Sequence, residues 1–88
     1  MNDQASPAED RLQSVVSRHI ADILDIDAEA VRVDLSLTDD LGMDSMDRVE
    51  LIARLESAFK INFTDGEEEN FGTVADVLAA VQTVRNRR

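Results

Sequence analysis

The chain has 88 residues and a net charge of −10, with 19 acidic residues against 9 basic ones. This length allows one domain with a small core but no deep active site, so we expect the protein to work with larger partners. The charge disfavours nucleic acid and anionic membranes, so we expect no nucleic acid partner, no membrane insertion and protein partners that are basic. Because there is no cysteine, the side chains exclude disulfides, thiolate catalysis and zinc–thiolate sites.

The N-terminal segment indicates where the protein works. It lacks the basic and apolar regions of a signal peptide, and no apolar run in the chain approaches membrane-spanning length. We therefore expect a cytoplasmic protein, divided into a flexible N-terminus (1–6), one folded domain (7–85) and a basic C-terminal tail (86–88).

A first helix is predicted from Pro7 to about Leu24. Ser6-Pro7-Ala8-Glu9 reads as a capping box with proline at the first helical position. Apolar residues then recur at helical spacing, at Leu12, Val15, Val16, Ile20, Ile23 and Leu24. His19 falls on the same face, which indicates a packed or half-buried structural histidine rather than a ligand or base.

Residues 25–43 are harder to assign. Val31, Val33, Leu35 and Leu37 alternate with polar residues as in a half-buried strand. Nothing else in the chain alternates in this way, and a lone strand has no ladder partner. We therefore predict an extended loop pinned to the core by these four side chains, with strand pairing to another chain as the alternative.

Residues 40–47 read Asp-Leu-Gly-Met-Asp-Ser-Met-Asp and place Ser45 at the start of a second predicted helix. Asp44 suits the N-cap, and Asp47 adds a carboxylate in the first turn. An anionic group attached to Ser45 would lie beside unpaired N–H groups, where the helix dipole favours negative charge. Gly42 is expected to keep the approach free of side-chain bulk.

The second helix should run to about Lys60 and carry two apolar stripes at about 100° per residue. One stripe is a core face, formed by Leu51, Ile52, Leu55, Ala58 and Phe59. The other lies nearly opposite, formed by Met46, Val49 and Ala53 and flanked by Glu50, Glu56 and Ser57. No core remains to bury this second stripe.

The C-terminal third of the chain has room for one short helix and one long one. Between Phe63 and Phe71 an acidic segment allows a short helix or turn, and the two phenylalanines can close the core. Thr73-Val74-Ala75-Asp76 starts a last helix that ends near Arg85. Its apolar residues recur at helical spacing, at Val74, Val77, Leu78, Val81 and Val84. The terminal arginines, Arg85, Arg87 and Arg88, are predicted to form a solvated tail.

Two other kinds of site are disfavoured. A nucleophilic Ser45 needs an adjacent base, and the one histidine lies on the apolar face of the first helix. The acidic run from Asp25 mimics the first half of a calcium loop. Ala30 stands where the loop needs glycine and Ser36 where it needs a bidentate glutamate, so no metal site is expected.

These features together resemble the acyl carrier protein family. The resemblance covers about Glu9 to Val84 and is strongest from Asp40 to Phe59, which follows the family pattern D-L-G-x-D-S-L-D-x-V-E-L without gaps. It implies an all-α four-helix bundle, with three long helices, one short helix and a long loop between the first two. Residues 7–85 would then be an acyl carrier domain.

The resemblance also implies a function. A separate phosphopantetheinyl transferase would attach 4′-phosphopantetheine from coenzyme A to Ser45, and the thiol of this arm would carry acyl groups as thioesters. The protein itself would catalyse nothing. It would serve, as a monomer, the synthase, reductase, dehydratase or acyltransferase enzymes of fatty acid, lipid or polyketide biosynthesis.

Two sets of residues take family roles by position. Those that match the family's contacts with basic, apolar-rimmed enzyme patches are Asp44, Met46, Asp47, Val49, Glu50, Ala53 and Glu56. Candidates for lining an acyl pocket are Leu55, Phe71 and Val77, which are at the same time ordinary core positions.

Departures from the family pattern leave the pathway open. Arg48 and Arg54 place positive charge on a helix that is usually acidic, which indicates a specialised carrier if these residues act in recognition; Arg54 can instead simply pair with Glu50. An aminoacyl or peptidyl carrier is the alternative within carriers, although Asp44 and the acidity favour acyl cargo. From another class, an unmodified acidic helical adaptor would need only the surface of the second helix.

Overall fold

The computed structural model of the protein describes residues 7–64 and 66–87, with side chains from Arg11 onward. Most of these residues belong to three α-helices, α1 (Pro7–Leu24), α2 (Ser45–Phe59) and α3 (Val74–Asn86). Two 3-10 helices lie in the connecting segments, at Ala28–Ala30 and Glu67–Asn70. The architecture predicted from the sequence is confirmed: three long helices, one short helix before the last, and a long first loop. The 3-10 helix at Ala28–Ala30 was not predicted.

The helix ends follow local rules. α3 starts with the predicted capping box, because the Thr73 hydroxyl accepts from the Asp76 N–H and the Asp76 carboxylate accepts from the Thr73 N–H. α1 and α2 are each followed by a residue in the left-handed region, Asp25 at φ 59° and Lys60 at φ 56°. This conformation ends a helix without glycine. The capping box predicted at Ser6 and Glu9 lies outside the described residues and side chains.

One apolar core fills the space between the helices and loops. Its buried members are Leu12, Val16, Ile20, Ala21, Val31, Leu37, Met43, Leu51, Leu55, Ile61, Phe63, Phe71, Val74, Val77, Val81 and Val84. The rings of Phe63 and Phe71 meet edge to face, with centroids 5.6 Å apart, and close the core as predicted. The prediction that Ala58 belongs to the core face is wrong. Ala58 is exposed at the edge of that face and lines a surface groove where α1 packs against α2.

The first loop forms no strand in the described residues, as predicted, but it is not extended: it consists of a 3-10 helix, turns and one isolated β-bridge between Ser36 and Thr73. Its anchors also differ from those expected. Val31 and Leu37 are buried and Leu35 is half-buried, whereas Val33 is 37% exposed. Val33 contributes through its backbone instead, because its carbonyl accepts from the Ala75 N–H at 2.9 Å.

The loop also satisfies backbone groups at the start of α3. The Leu35 carbonyl accepts from the Val74 N–H at 3.1 Å, and the Leu37 N–H donates to the Gly72 carbonyl at 2.9 Å. The first turn of a helix has N–H groups without partners inside the helix. The loop supplies the missing acceptors, and it pairs with the start of α3 through a single antiparallel bridge between Ser36 and Thr73.

Arg85 and Arg87 are exposed, as predicted for a solvated tail, but both also contact other parts of the domain. The Arg85 guanidinium lies 5.4 Å from the ring centroid of Phe59, within cation–π range. Arg87 forms an ion pair with Glu67. Arg88 lies outside the described residues. Both contacts hold the end of α3 against neighbouring segments.

None of the helices in the described ranges combines the length and the apolar character that crossing a membrane requires.

Replacing Leu37 with alanine should lower the free energy of unfolding by about 2–5 kcal/mol, because a fully buried anchor is lost and a cavity remains. The matched change Val33→Ala, in the same loop, should cost no more than about 0.5 kcal/mol. Denaturant unfolding followed by circular dichroism measures both. Equal losses would contradict the assignment of Leu37 as the side-chain anchor.

Candidate functional site

Ser45 is the first residue of α2, and its side chain is exposed. The preceding residue, Asp44, is the N-cap. Its carboxylate accepts from the Asp47 N–H at 2.8 Å, and the Asp47 carboxylate accepts from the Asp44 N–H at 3.2 Å. This reciprocal capping box satisfies the helix start without the serine, so the Ser45 hydroxyl is left available for chemistry.

The backbone beside Ser45 favours negative charge. The N–H groups of Ser45 and Met46 have no acceptor among the described residues, while the Asp47 N–H is bonded to the cap and the Arg48 N–H donates to the Asp44 carbonyl at 3.1 Å. Unpaired N–H groups and the helix dipole together attract anions. An anionic group joined to the Ser45 oxygen would therefore lie at the positive end of α2.

Gly42 shapes the turn that leads into the site. Its φ of 74° lies in the left-handed region, which other residues rarely adopt. A Cβ added to Gly42 would meet no atom of the described chain within 4 Å, so the space beside this glycine is open; its role in keeping the approach clear stays a prediction. The left-handed backbone conformation is by itself a reason for glycine at this position.

Met43 fixes the same turn from inside, and sequence analysis missed it. Its side chain is buried, and its N–H donates to the Leu37 carbonyl at 2.8 Å. The residue before the N-cap often packs inward at a helix start. An apolar residue directly before Asp44 was the signal that could have identified it.

An apolar stripe is exposed along the outer face of α2, as predicted. Met46 is 80% exposed and Val49 66% exposed, and Ala53 continues the stripe one turn further on. Exposed apolar side chains at helical spacing on a charged domain are typical of a contact surface for another protein. Whether these residues contact an enzyme stays a prediction.

The acidic residues that flank the stripe all have partners within the protein. Asp44 and Asp47 form the capping box. Glu50 accepts two hydrogen bonds from Arg54, at 2.8 and 3.1 Å. Glu56 accepts from the Phe63 N–H at 3.0 Å and so holds the segment after α2. These side chains therefore stabilise the fold in addition to any role in recognition.

The two arginines of α2 have different contacts. Arg54 joins its pair with Glu50 and lies 3.9 Å from Asp22 on α1. Arg48 instead donates to the Phe71 carbonyl at 2.7 Å, 23 residues along the chain. Arg54 thus lies at the surface beside the apolar stripe, whereas Arg48 links α2 to the segment that enters α3.

His19 is half-buried between α1 and α2, in agreement with its prediction as a structural residue. It lies beside a groove with Ala53 and Arg54, and its Nδ1 atom is buried without a hydrogen-bond partner in the described part of the chain. No hydrogen bond joins it to Ser45 there, so the geometry offers the serine no histidine base.

The three candidate pocket residues lie in the core. Leu55 and Val77 are fully buried, and Phe71 is 1% exposed. In this form of the protein they pack against other apolar side chains of the core cluster. Their role with an acyl chain stays a prediction.

Comparison with known proteins gives a consistent result. A family described as "Phosphopantetheine attachment site" matches residues 14–81. An "Acyl carrier protein" of Clostridium acetobutylicum is 49% identical over 59 residues, which span 67% of this chain and 77% of the relative. Another, from Akkermansia muciniphila, is 35% identical over 78 residues, which span 89% of this chain and 98% of the relative.

A solved structure shares the fold. The solution structure of the apo doublet acyl carrier protein from prodigiosin biosynthesis aligns with 94% of this chain at a TM-score of 0.78 and 24% identity, and the aligned part is 40% of that longer chain. Since the family match covers most of the chain and both relatives are aligned over most of their length, the chain belongs to the acyl carrier protein family.

Proposed function

We propose that Ser45 is the residue to which 4′-phosphopantetheine is attached, and that the exposed face of α2 docks the enzymes that load and use this carrier. As a family member, the protein carries acyl groups on a covalently attached 4′-phosphopantetheine. The single observation that supports Ser45 is an exposed hydroxyl at the first residue of α2, beside two backbone N–H groups without acceptors.

The residues around Ser45 fit the phosphate end of such a group. Its negative charge would be stabilised by the unpaired N–H groups of Ser45 and Met46, at the positive end of the helix. Asp44 is held by the capping box, which fixes the helix start. The open space beside Gly42 leaves the approach unobstructed.

The proposed division of labour follows from the chain's side chains. The bound group supplies the thiol that forms thioesters, which this cysteine-free chain lacks. The chain positions that group and presents a surface, and it catalyses no step itself. We place the protein in the cytoplasm as a monomer, with a phosphopantetheinyl transferase and enzymes of fatty acid, lipid or polyketide synthesis as its partners.

The proposed docking surface consists of Met46, Val49 and Ala53, together with the acidic residues Asp44, Asp47, Glu50 and Glu56. The exposed apolar side chains suit a shallow apolar pocket on the enzyme. The net charge of −10 would accelerate encounter with a basic surface. A small contact area keeps the complex short-lived, which a carrier that visits several enzymes requires.

Incubation with coenzyme A, magnesium and a broad-specificity phosphopantetheinyl transferase should increase the intact mass by one phosphopantetheine group. Ser45→Ala should show no gain, because the acceptor oxygen is absent. The control is Ser57→Ala, an exposed serine further along α2, which should load as the wild type does. A chain that gains no mass would instead fit an unmodified adaptor, and a gain that persists in Ser45→Ala would exclude this serine as the site.

Two substitutions of Asp44 separate its role as the helix N-cap from the effect of its negative charge. Asp44→Ala should lower the free energy of unfolding by about 1 kcal/mol, because the Asp47 N–H loses its acceptor. Asp44→Asn keeps an acceptor oxygen and should cost only a few tenths of a kcal/mol, roughly the spread among good N-cap residues. Denaturant unfolding measures both, and similar losses would show that the charge rather than the cap stabilises the helix.

Glu50→Lys should slow association with the transferase by about fivefold at low ionic strength, because it reverses a charge within the docking surface. The matched control is Glu29→Lys, which makes the same net charge change at an exposed position in the first loop. Stopped-flow association rates at low and high ionic strength provide the measurement. Equal slowing by both variants would mean that overall charge, not this surface, governs encounter.

A further inference from the structure

Arg48 occupies the centre of the inward-facing side of α2, a position where a buried apolar residue would be expected. At about 100° per residue it points between the directions of Leu55, which is fully buried, and Phe59, which is half-buried. It is only half-buried and lies three residues after Ser45, so the two side chains are neighbours on the helix surface. Arg48 thus stands between the exposed serine and the core.

The guanidinium of Arg48 bridges two elements. Its Nη2 atom donates to the Phe71 carbonyl at 2.7 Å, which joins α2 to the segment just before α3. A charged donor at this distance makes a strong hydrogen bond. The same segment is held from its other side, where the Gly72 carbonyl accepts from the Leu37 N–H. We call the boundary between α2 and residues 71–73 the seam. The hydrogen bond from Arg48 to the Phe71 carbonyl closes this seam at the end nearest Ser45.

Apolar side chains lie directly behind this bond. Phe71 is itself buried and packs edge to face on Phe63. Leu55 and Val77 are fully buried in the same core cluster. A hydrophobic chain attached near Ser45 could leave water by entering this cluster. The Arg48–Phe71 bond lies one helical turn from Ser45 on the side of α2 that faces the cluster.

We propose that the Arg48–Phe71 hydrogen bond is a latch on this seam, which makes Arg48 a determinant of the cargo that the carrier takes into its core. With the latch closed, an acyl chain on the arm stays outside and accessible to enzymes. To enter, the chain must break a charge-assisted bond and displace Phe71, which only long chains with much apolar surface can offset. This inference rests on the proposed attachment at Ser45.

The test compares acetyl-loaded and octanoyl-loaded protein in the wild type and in Arg48→Met, which keeps a long apolar side chain but removes the donor. Neutral hydroxylamine cleaves exposed thioesters, and the ratio of the acetyl rate to the octanoyl rate measures how far the longer chain is protected. We expect this ratio to rise about tenfold in Arg48→Met. This variant lacks the hydrogen bond to the Phe71 carbonyl, so the longer chain does not have to break that bond in order to enter the core. Methyl chemical shifts of Leu55 and Val77 should then differ between the two loaded forms more than in the wild type.

Arg54→Met is the matched control, because it removes the other guanidinium of α2, whose contacts are with Glu50 and Asp22 rather than with the seam. It should leave both readouts at wild-type values. A purely structural role for Arg48 would lower stability without changing the ratio, because each variant serves as its own reference. Failure to load Ser45 would contradict the proposed function. Normal loading with an unchanged ratio and unchanged methyl shifts would overturn the latch alone.

Discussion

The reciprocal hydrogen bonds between Asp44 and Asp47 determine where α2 begins, and the properties of the site depend on that position. If Ser45 were the N-cap, its hydroxyl would be the natural acceptor for a first-turn N–H and would be occupied by the helix itself. With the cap one residue earlier, the Ser45 side chain is exposed, and the N–H groups of Ser45 and Met46 have no acceptor in the described part of the chain. The buried Met43 and the left-handed Gly42 hold the preceding turn in the geometry that this cap requires.

Charged side chains of α2 also form hydrogen bonds that join this helix to loop segments. Glu56 accepts from the Phe63 N–H, and Arg48 donates to the Phe71 carbonyl. Both backbone groups belong to segments that bracket the short 3-10 helix. Phe63 and Phe71 are also buried in the core, so these segments are held by packing as well as by hydrogen bonds. Charge-assisted bonds to backbone groups therefore supplement the core on the side where α2 meets α3.

Helix bounds were predictable from the sequence because their determinants are local. Capping residues and apolar spacing placed α1 and α2 within about a residue of their observed ends, and assignments of this kind depend on neighbours in the chain. The same periodicity predicted the exposed apolar stripe of α2 that begins at Met46.

Features that arise from contacts between distant segments were missed. The exposure of Val33 depends on α3, whose first N–H groups take the loop's carbonyls as acceptors and so fix how the loop is oriented. Arg48 was expected to add positive charge to α2, and its contact was missed, since nothing near it in sequence indicates that the Phe71 carbonyl lies opposite. Ala58 lies within the arc of the core face, and only the packing of α1 against α2 decides that it borders a groove instead.

The pairing of Glu50 with Arg54 changes what an approaching enzyme meets on α2. At low dielectric the pair would be a strong interaction, but both side chains are substantially exposed, so it contributes little to stability and can be broken at small cost. A basic partner therefore competes with Arg54 for the same carboxylate, whereas a partner that also offers an acidic group to Arg54 can satisfy both charges at once. Because specificity is a difference between affinities, an arginine at this position penalises uniformly basic docking patches more than mixed ones. If the outer face of α2 is the docking surface, as proposed, it would thus be better matched to enzymes whose patch combines an apolar pocket with charges of both signs.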